Sequence, residues 1–356
     1  MRPDPASSRS VLVTGGAGFI GSNLVDRLAR EGYRVLIYDS LARPGVAHNV
    51  AWLQQRHGER VTLRHCDIRD AGAVAEAVRG TTAVFHLAAQ VAVTSSLADP
   101  VDDFGVNLCG TLHVLEAVRS LSEPVPVIFA STNKVYGSLS DIDLLEQGDA
   151  YLPIDEIQRS RGIAEERPLD FHTPYGCSKG AADQYVLDYA RSFGIPAMVM
   201  RMSCIYGPHQ HGTEDQGWVA HFMIRALRGE PITIYGDGRQ VRDILFVDDA
   251  VEAYLRAWRN IRRIGGRAFN LGGGPANAVS LLQLIAHVEG LIGRRVEVDF
   301  QDWRAGDQRY YVSDTRRIAR ELDLPVPTPW RVGLARLGDW LAESTRGIER
   351  RQAAGA

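Results

Sequence analysis

A β-branched run, Val11-Leu12-Val13-Thr14, passes directly into Gly15-Gly16-Ala17-Gly18-Phe19-Ile20-Gly21 and then into a helical pattern. This order of strand, glycine string and helix constrains the chain more than any other segment. Glycines at 15, 18 and 21 allow a tight turn, close backbone approach by a ligand and close packing of helix on strand. The helix N-terminus then faces an anion, which in this arrangement is a pyrophosphate. A glycine string alone carries little weight, but in this context it is specific. Beyond it Ile20, Leu24 and Leu28 recur every four residues, predicting one buried helical face.

Short β-branched runs alternate with helical stretches through the first half, with strands predicted at 11–14, 34–39, 61–66, 83–87, 125–130 and 197–201. Such alternation belongs to an α/β fold built on a doubly wound parallel sheet, the Rossmann arrangement. After about residue 205 the spacing becomes irregular. Clusters at Tyr206-Gly207-Pro208, Tyr235-Gly236-Asp237-Gly238 and Leu271-Gly272-Gly273-Gly274-Pro275 predict a smaller α/β substrate-binding lobe rich in loops. The expected division is a disordered tail over 1–10 and a dinucleotide-binding domain over 11–204 that also receives segments near 240–272. The substrate lobe lies mainly over 205–340, and a frayed polar tail covers 341–356.

With 356 residues, 45% of them hydrophobic, the chain can cover one large core or two smaller ones. A net charge of -3 provides no basic field for nucleic acid. Cys66, Cys109, Cys177 and Cys204 are widely spaced, forming neither a metal-ligand pair nor a disulfide framework, so no metal is expected. The first ten residues lack the apolar core of a signal peptide, and no run approaches a membrane span. The expectation is a soluble cytoplasmic protein with neither nucleic acid nor membrane as partner.

Lysine is almost absent: thirty-eight arginines stand against two lysines. Lys134 sits in Ser131-Thr132-Asn133-Lys134-Val135-Tyr136-Gly137, and Lys179 follows Tyr175 by four residues. Chance would give roughly 0.07 Tyr-x-x-x-Lys pairs from this composition, so the pair calls for a chemical reading. Lysine offers a compact charge that fits beneath a phenol, whereas arginine offers a broad planar fork. Lowering a phenol from ~10 to about 7 takes roughly 4 kcal/mol, which a lysine one helical turn away and a positive nicotinamide would supply. Thr132 would orient a substrate oxygen while Tyr175 removes its proton and hydride leaves for the nicotinamide. Asp39, ending the second strand, suits both hydroxyls of an adenosine ribose and favours NAD over NADP, with Arg43 the counter-indication. Asp67 and Ile68 would border adenine, and Leu87-Ala88-Ala89-Gln90 has the small residues needed beside a cofactor. Any one of these also reads as simple strand capping.

The glycine string, Asp39, Ser131-Thr132 ahead of Val135-Tyr136-Gly137, and Tyr175 with Lys179 resemble the extended short-chain dehydrogenase/reductase family across nearly the whole chain. Longer strings are similar to the CDP-paratose 2-epimerase (CDP-tyvelose 2-epimerase) branch. They are 131–137, Pro174 to Tyr185 (PYGCSKGAADQY), Asp215-Gln216-Gly217-Trp218-Val219 and Gly238-Arg239-Gln240-Val241-Arg242-Asp243. The resemblance implies tightly held NAD, a nucleotide-diphosphate sugar between the lobes, and a homo-oligomer. It carries the catalytic triad onto Thr132, Tyr175 and Lys179. The cofactor set becomes Gly15, Gly18, Phe19, Ile20, Gly21, Asp39, Asp67, Ile68, Leu87, Ala88, Gln90 and Asn107, together with Tyr175 and Lys179. Substrate-binding roles fall on Asn133, Arg242 and Arg304, the last two as diphosphate ligands, a role that suits guanidinium forks.

Related dehydratases carry an Asp-Glu pair after the catalytic threonine, where this chain has Asn133 and Lys134, so dehydration is disfavoured and epimerisation favoured. In a 3,6-dideoxy sugar a carbonyl at carbon 4 would not acidify carbon 2, and carbon 3 bears no hydroxyl. Oxidation at carbon 2 itself follows. The alternatives are 4-epimerisation of a UDP-hexose and a catalytically silent NAD-binding protein on this fold. Lys134 would contact a sugar hydroxyl or, equally, point away and cap the strand end.

Overall fold

Strands with no polar alternation need cover on both faces. The first strand meets that description, since every residue of Ser10–Thr14 after Ser10 is buried. The computed structural model describes residues 10–304 and 306–354, from 344 onward as backbone alone. The chain lays down β1 (Ser10–Thr14), β2 (Val35–Asp39), β3 (Val61–His65), β4 (Thr81–His86) and β5 (Val127–Thr132). A hairpin of β6 (Leu144–Gln147) and β7 (Ala150–Pro153) intervenes before β8 (Ala197–Met202). Then follow β9 (Cys204–Tyr206), β10 (Ile232–Tyr235), β11 (Val241–Phe246), β12 (Ala268–Leu271), β13 (Ala278–Ser280), β14 (Val298–Gln301) and β15 (Tyr310–Tyr311).

Seven of these form one parallel sheet in the order β12-β8-β5-β4-β1-β2-β3. All six predicted strands belong to it. Helices cover both faces, giving one core with Val13, Leu24, Leu28, Ile37, Met198 and Tyr254 and another with Leu12, Val84, Val118, Val186 and Val199. Leu24 and Leu28 are fully buried and Ile20 packs against the same cluster, as their period required. Strand order reverses at β1, which has β2 on one side and β4 on the other. The crevice beyond the carboxyl ends at such a point is the ligand site of this architecture.

The second lobe is a small sheet of β13, β11 and β15, with β9 added to β11, beside a parallel pair of β10 and β14. Segment 240–272 divides between the lobes. β11 stays in the small sheet, whereas the Val247–Arg259 helix and β12 return to the large one. Residues 1–9 of the expected N-terminal tail lie outside the described residues, and Ser10 already starts β1. The expectation of a tail from 341 is corrected: Trp330–Ala354 is one helix. Trp330, Leu334 and Leu337 seat its first turns in the lobe core, Tyr206 donates to the Trp330 carbonyl (3.0 Å), and the Ala, Glu and Arg residues beyond are good helix formers.

Candidate active site

The glycine turn is shaped by what surrounds it. Gly15 has φ 68°, and a Cβ there would lie 2.6 Å from the Ala88 nitrogen, while one on Gly21 would collide with the Gly15 carbonyl. Gly18 leads into the Phe19–Arg30 helix without any side-chain cap, leaving the first-turn N–H groups of Phe19, Ile20 and Gly21 to a ligand. Asp39 closes β2 beside this turn. Its two carboxylate oxygens accept from the backbone N–H of Ala17 (3.0 Å) and of Leu41 (2.9 Å), and burial outweighs those bonds and raises its pKa. Arg43 is exposed on the following loop. These residues fit a dinucleotide: a cradle that any side chain would fill, an uncapped helix start, and a carboxylate where a phosphate would be repelled.

Around the cradle, Leu87 and Ala88 donate backbone N–H groups to the Thr14 carbonyl (3.0 Å) and hydroxyl (3.2 Å). Gln90 donates its N–H to Asn107 (2.9 Å), and Asn107 in turn donates to Asp103 (3.0 Å) and Ser178 (3.1 Å). Asp67 is paired with Arg69 at 2.6 Å, and Ile68 packs where a Cβ on Gly110 would sit. Beneath the turn, Thr14 and His86 share a hydrogen bond (2.7 Å) that continues to Thr111 (3.0 Å), and burial pushes His86 down to about 3, so the imidazole is neutral.

Thr132 ends β5. Tyr175 and Lys179 lie one turn apart on the Thr173–Phe193 helix, and the three are brought together in the crevice, all buried. The Thr132 hydroxyl stands beside the Tyr175 phenol. Burial pushes Tyr175 up to about 12, where a value near 7 was expected; the neighbouring Thr132 hydroxyl lowers it only in part, and Asp103 raises it further. In the protein alone, Lys179 does not offset that burial. Lys179 itself is driven down to about 7 by burial, against the pull of Asp183 and Asp103, and its ammonium rests 4.2 Å from the centre of the Phe129 ring.

The side of the crevice expected to take substrate is built from long side chains. Arg242 Nη2 lies 2.6 Å from the Asp307 carboxylate, and Arg304 stacks 3.7 Å from the Tyr235 ring while pairing with Glu214 (3.3 Å) and Asp215 (3.2 Å). Tyr235 also donates to Glu214. Both predicted diphosphate arginines therefore already engage carboxylates. Asn133 is buried, accepting from Thr132 (3.3 Å) and donating to Gln308 (3.4 Å), and Gln308 donates on to the Gly137 carbonyl (2.6 Å). Lys134 caps no strand end; its ammonium donates to the Gly306 carbonyl (3.2 Å).

Several supporting groups escaped the sequence reading. Asp183, one turn after Lys179, takes both forks of Arg201 (2.9 and 3.0 Å) and a bond from Ser131 (2.8 Å). Its four-residue spacing from Lys179 was an available signal. Asp307, three residues after Arg304, carried none. Burial alone would raise its pKa, yet Arg242 and Lys134 hold its carboxyl below the usual range. No group of three or more potential metal ligands occurs among the described residues.

Comparison with known proteins agrees with this geometry. The chain is 40% identical to the CDP-paratose 2-epimerase of Salmonella typhi, over 93% of this chain and 98% of that protein. Among solved structures, the UDP-glucose 4-epimerase of Thermotoga maritima, crystallised with UDP-glucose, superposes with a TM-score of 0.80 at 29% identity, covering 94% of this chain and 99% of that one. The dTDP-glucose 4,6-dehydratase of Streptomyces venezuelae, solved with NAD bound, also gives 0.80, at 30% identity, covering 94% of this chain and 97% of its own. The NAD dependent epimerase/dehydratase family model matches residues 11–272. With NAD as its cofactor, the chain belongs to that family.

Proposed function

We propose that this enzyme inverts carbon 2 of a CDP-hexose of the CDP-paratose/CDP-tyvelose type. The observation that carries the reading is the convergence of Thr132, Tyr175 and Lys179 on a turn whose next two residues are Asn133 and Lys134. The 40% identity to a CDP-paratose 2-epimerase supports the base and the carbon. NAD, held by the glycine turn, Asp39 and the small residues after β4, supplies when bound a hydride acceptor and donor and a positive ring. The chain's own groups manage the proton. The Thr132 hydroxyl positions the sugar oxygen, Tyr175 takes the proton as the carbonyl forms and returns it as the alcohol is restored, and Lys179 favours the phenolate from one turn below. No carboxyl pair stands at Asn133 and Lys134 to carry the elimination of a neighbouring hydroxyl, so the ketone is reduced again instead of losing water. Arg242 and Arg304 would exchange their carboxylate partners for the diphosphate.

A homo-oligomer is supported by exposed Leu97, Val101, Phe104, Tyr185 and Phe193, carried on adjacent helices between residues 93 and 193. No helix of the described residues is long and apolar enough to cross a membrane, and the four cysteines are free, in keeping with a cytoplasmic enzyme. The reaction is tested with CDP-paratose deuterated at carbon 2 in ordinary water. Label retained with inversion at carbon 2 is expected. Label lost to solvent would replace direct oxidation with deprotonation beside a carbonyl, and inversion at carbon 4 of a UDP-hexose would move the protein to the 4-epimerases.

A further inference from the structure

Inversion at carbon 2 places a demand on the site that inversion at carbon 4 does not. Three bonds separate carbon 2 from the sugar-side phosphorus, and five separate carbon 4. With the reacting carbon beside Thr132 and Tyr175, the phosphate of a 2-epimerase substrate is drawn toward the turn that follows Thr132. The charge on that turn then decides whether the phosphate is held or repelled.

Lys134 stands on that turn. Its backbone N–H donates to the Thr132 hydroxyl (3.2 Å), which fixes it two residues from the catalytic oxygen. Its ammonium donates to the Gly306 carbonyl (3.2 Å) and lies 3.7 Å from the Asp307 carboxylate. That carboxylate is shared with Arg242 at 2.6 Å. Two cations therefore face one carboxylate, and with the Lys134 side chain only 21% exposed, water screens the surplus charge poorly. An ammonium has three protons to donate, and the Gly306 carbonyl takes one. The family's arginine sites do not account for this group, which is one of two lysines beside thirty-eight arginines.

We propose that Lys134 is a specificity-determining residue that binds the sugar-side phosphate and thereby sets which sugar carbon reaches Thr132 and Tyr175. The proposal deepens the carbon 2 reading and rests on it. Its test is calorimetric titration of the NAD-loaded protein and its Lys134→Met and Lys134→Arg variants with CDP and with CMP, which lacks the second phosphate. Lys134→Met should lose roughly tenfold or more in affinity for CDP with affinity for CMP unchanged, and Lys134→Arg should restore most of the difference. Equal weakening toward CDP and CMP would show that Lys134 only holds Gly306 and Asp307 in place and would overturn the proposal, as would no change toward either. If Lys134→Met fails to fold, the Arg variant decides: a CDP-over-CMP preference as strong as that of the unaltered protein supports the phosphate contact, and loss of that preference in a folded, NAD-loaded protein overturns it. Failure of the carbon 2 reading is separately visible, as inversion at carbon 4 by the unaltered protein.

Discussion

The two halves of the cleft are made of different materials. On the cofactor side the contact surface is backbone: a glycine turn pressed between Ala88 and its own helix, an uncapped helix start, and one carboxylate fixed by two N–H groups. On the proposed substrate side it is three long cations, Lys134, Arg242 and Arg304, each held near carboxylates of the protein. A backbone cradle is rigid and costs little entropy on binding, which suits a cofactor kept through every turnover. Side chains already paired with carboxylates must exchange partners, which moderates affinity and suits a ligand that enters, turns over in the site and leaves.

The sharpest way to break this contrast is Gly21→Ala. One methyl group meets the Gly15 carbonyl, so the purified variant should carry no NAD and show no turnover; nucleotide released on denaturation is the readout, and a variant that still carries NAD would mean the turn is looser than its packing indicates. Tyr175→Phe should leave both halves intact and lower kcat by about a hundredfold or more with bound NAD unchanged. Arg242→Gln removes a buried fork and leaves Asp307 with one cation fewer. It should raise KM by roughly tenfold while NAD content stays constant, and a loss of NAD instead would show that the halves are not independent. The smallest effect concerns stability. The folded-state pKa of Lys179 lies below its unfolded value, so folding disfavours the ammonium, and that cost is fully present below about pH 7 and fades as pH rises toward 10.5. Lys179→Met should therefore stabilise the NAD-free protein by on the order of 1 kcal/mol below pH 7, with the gain vanishing at high pH, even as it removes turnover. Urea titrations at two pH values measure the difference.

The same contrast explains what the sequence made legible. The large sheet and the glycine turn depend on local pattern, namely β-branched runs, glycine spacing and a four-residue apolar period, so all six strands and the Leu24–Leu28 face were readable. That Tyr175 and Lys179 lie one turn apart on a helix was readable from their four-residue spacing, and Thr132 from its place at a strand end. The substrate side depends on pairs distant in sequence: Arg242 with Asp307, Arg304 with Glu214 and Asp215, Lys134 with Gly306. No local spacing announces such a pair, and thirty-eight arginines conceal the few that matter. The effect of burial on Tyr175 was equally hidden, because it depends on the tertiary enclosure of the phenol. The stretch from 341 was taken for a tail because it is polar and has no apolar period, whereas the first half of the Trp330–Ala354 helix anchors it.

Because both lysines lie in the cleft, the arginine-rich exterior offers acylating reagents no lysine amine. Cross-linkers and surface-coupling chemistries that depend on lysine will find the outside of this protein almost inert. Lys179, held to about 7, keeps a large fraction of free amine at neutral pH. Whatever lysine acylation does occur must begin inside the cleft, so its rate reports how accessible these two amines are to a reagent.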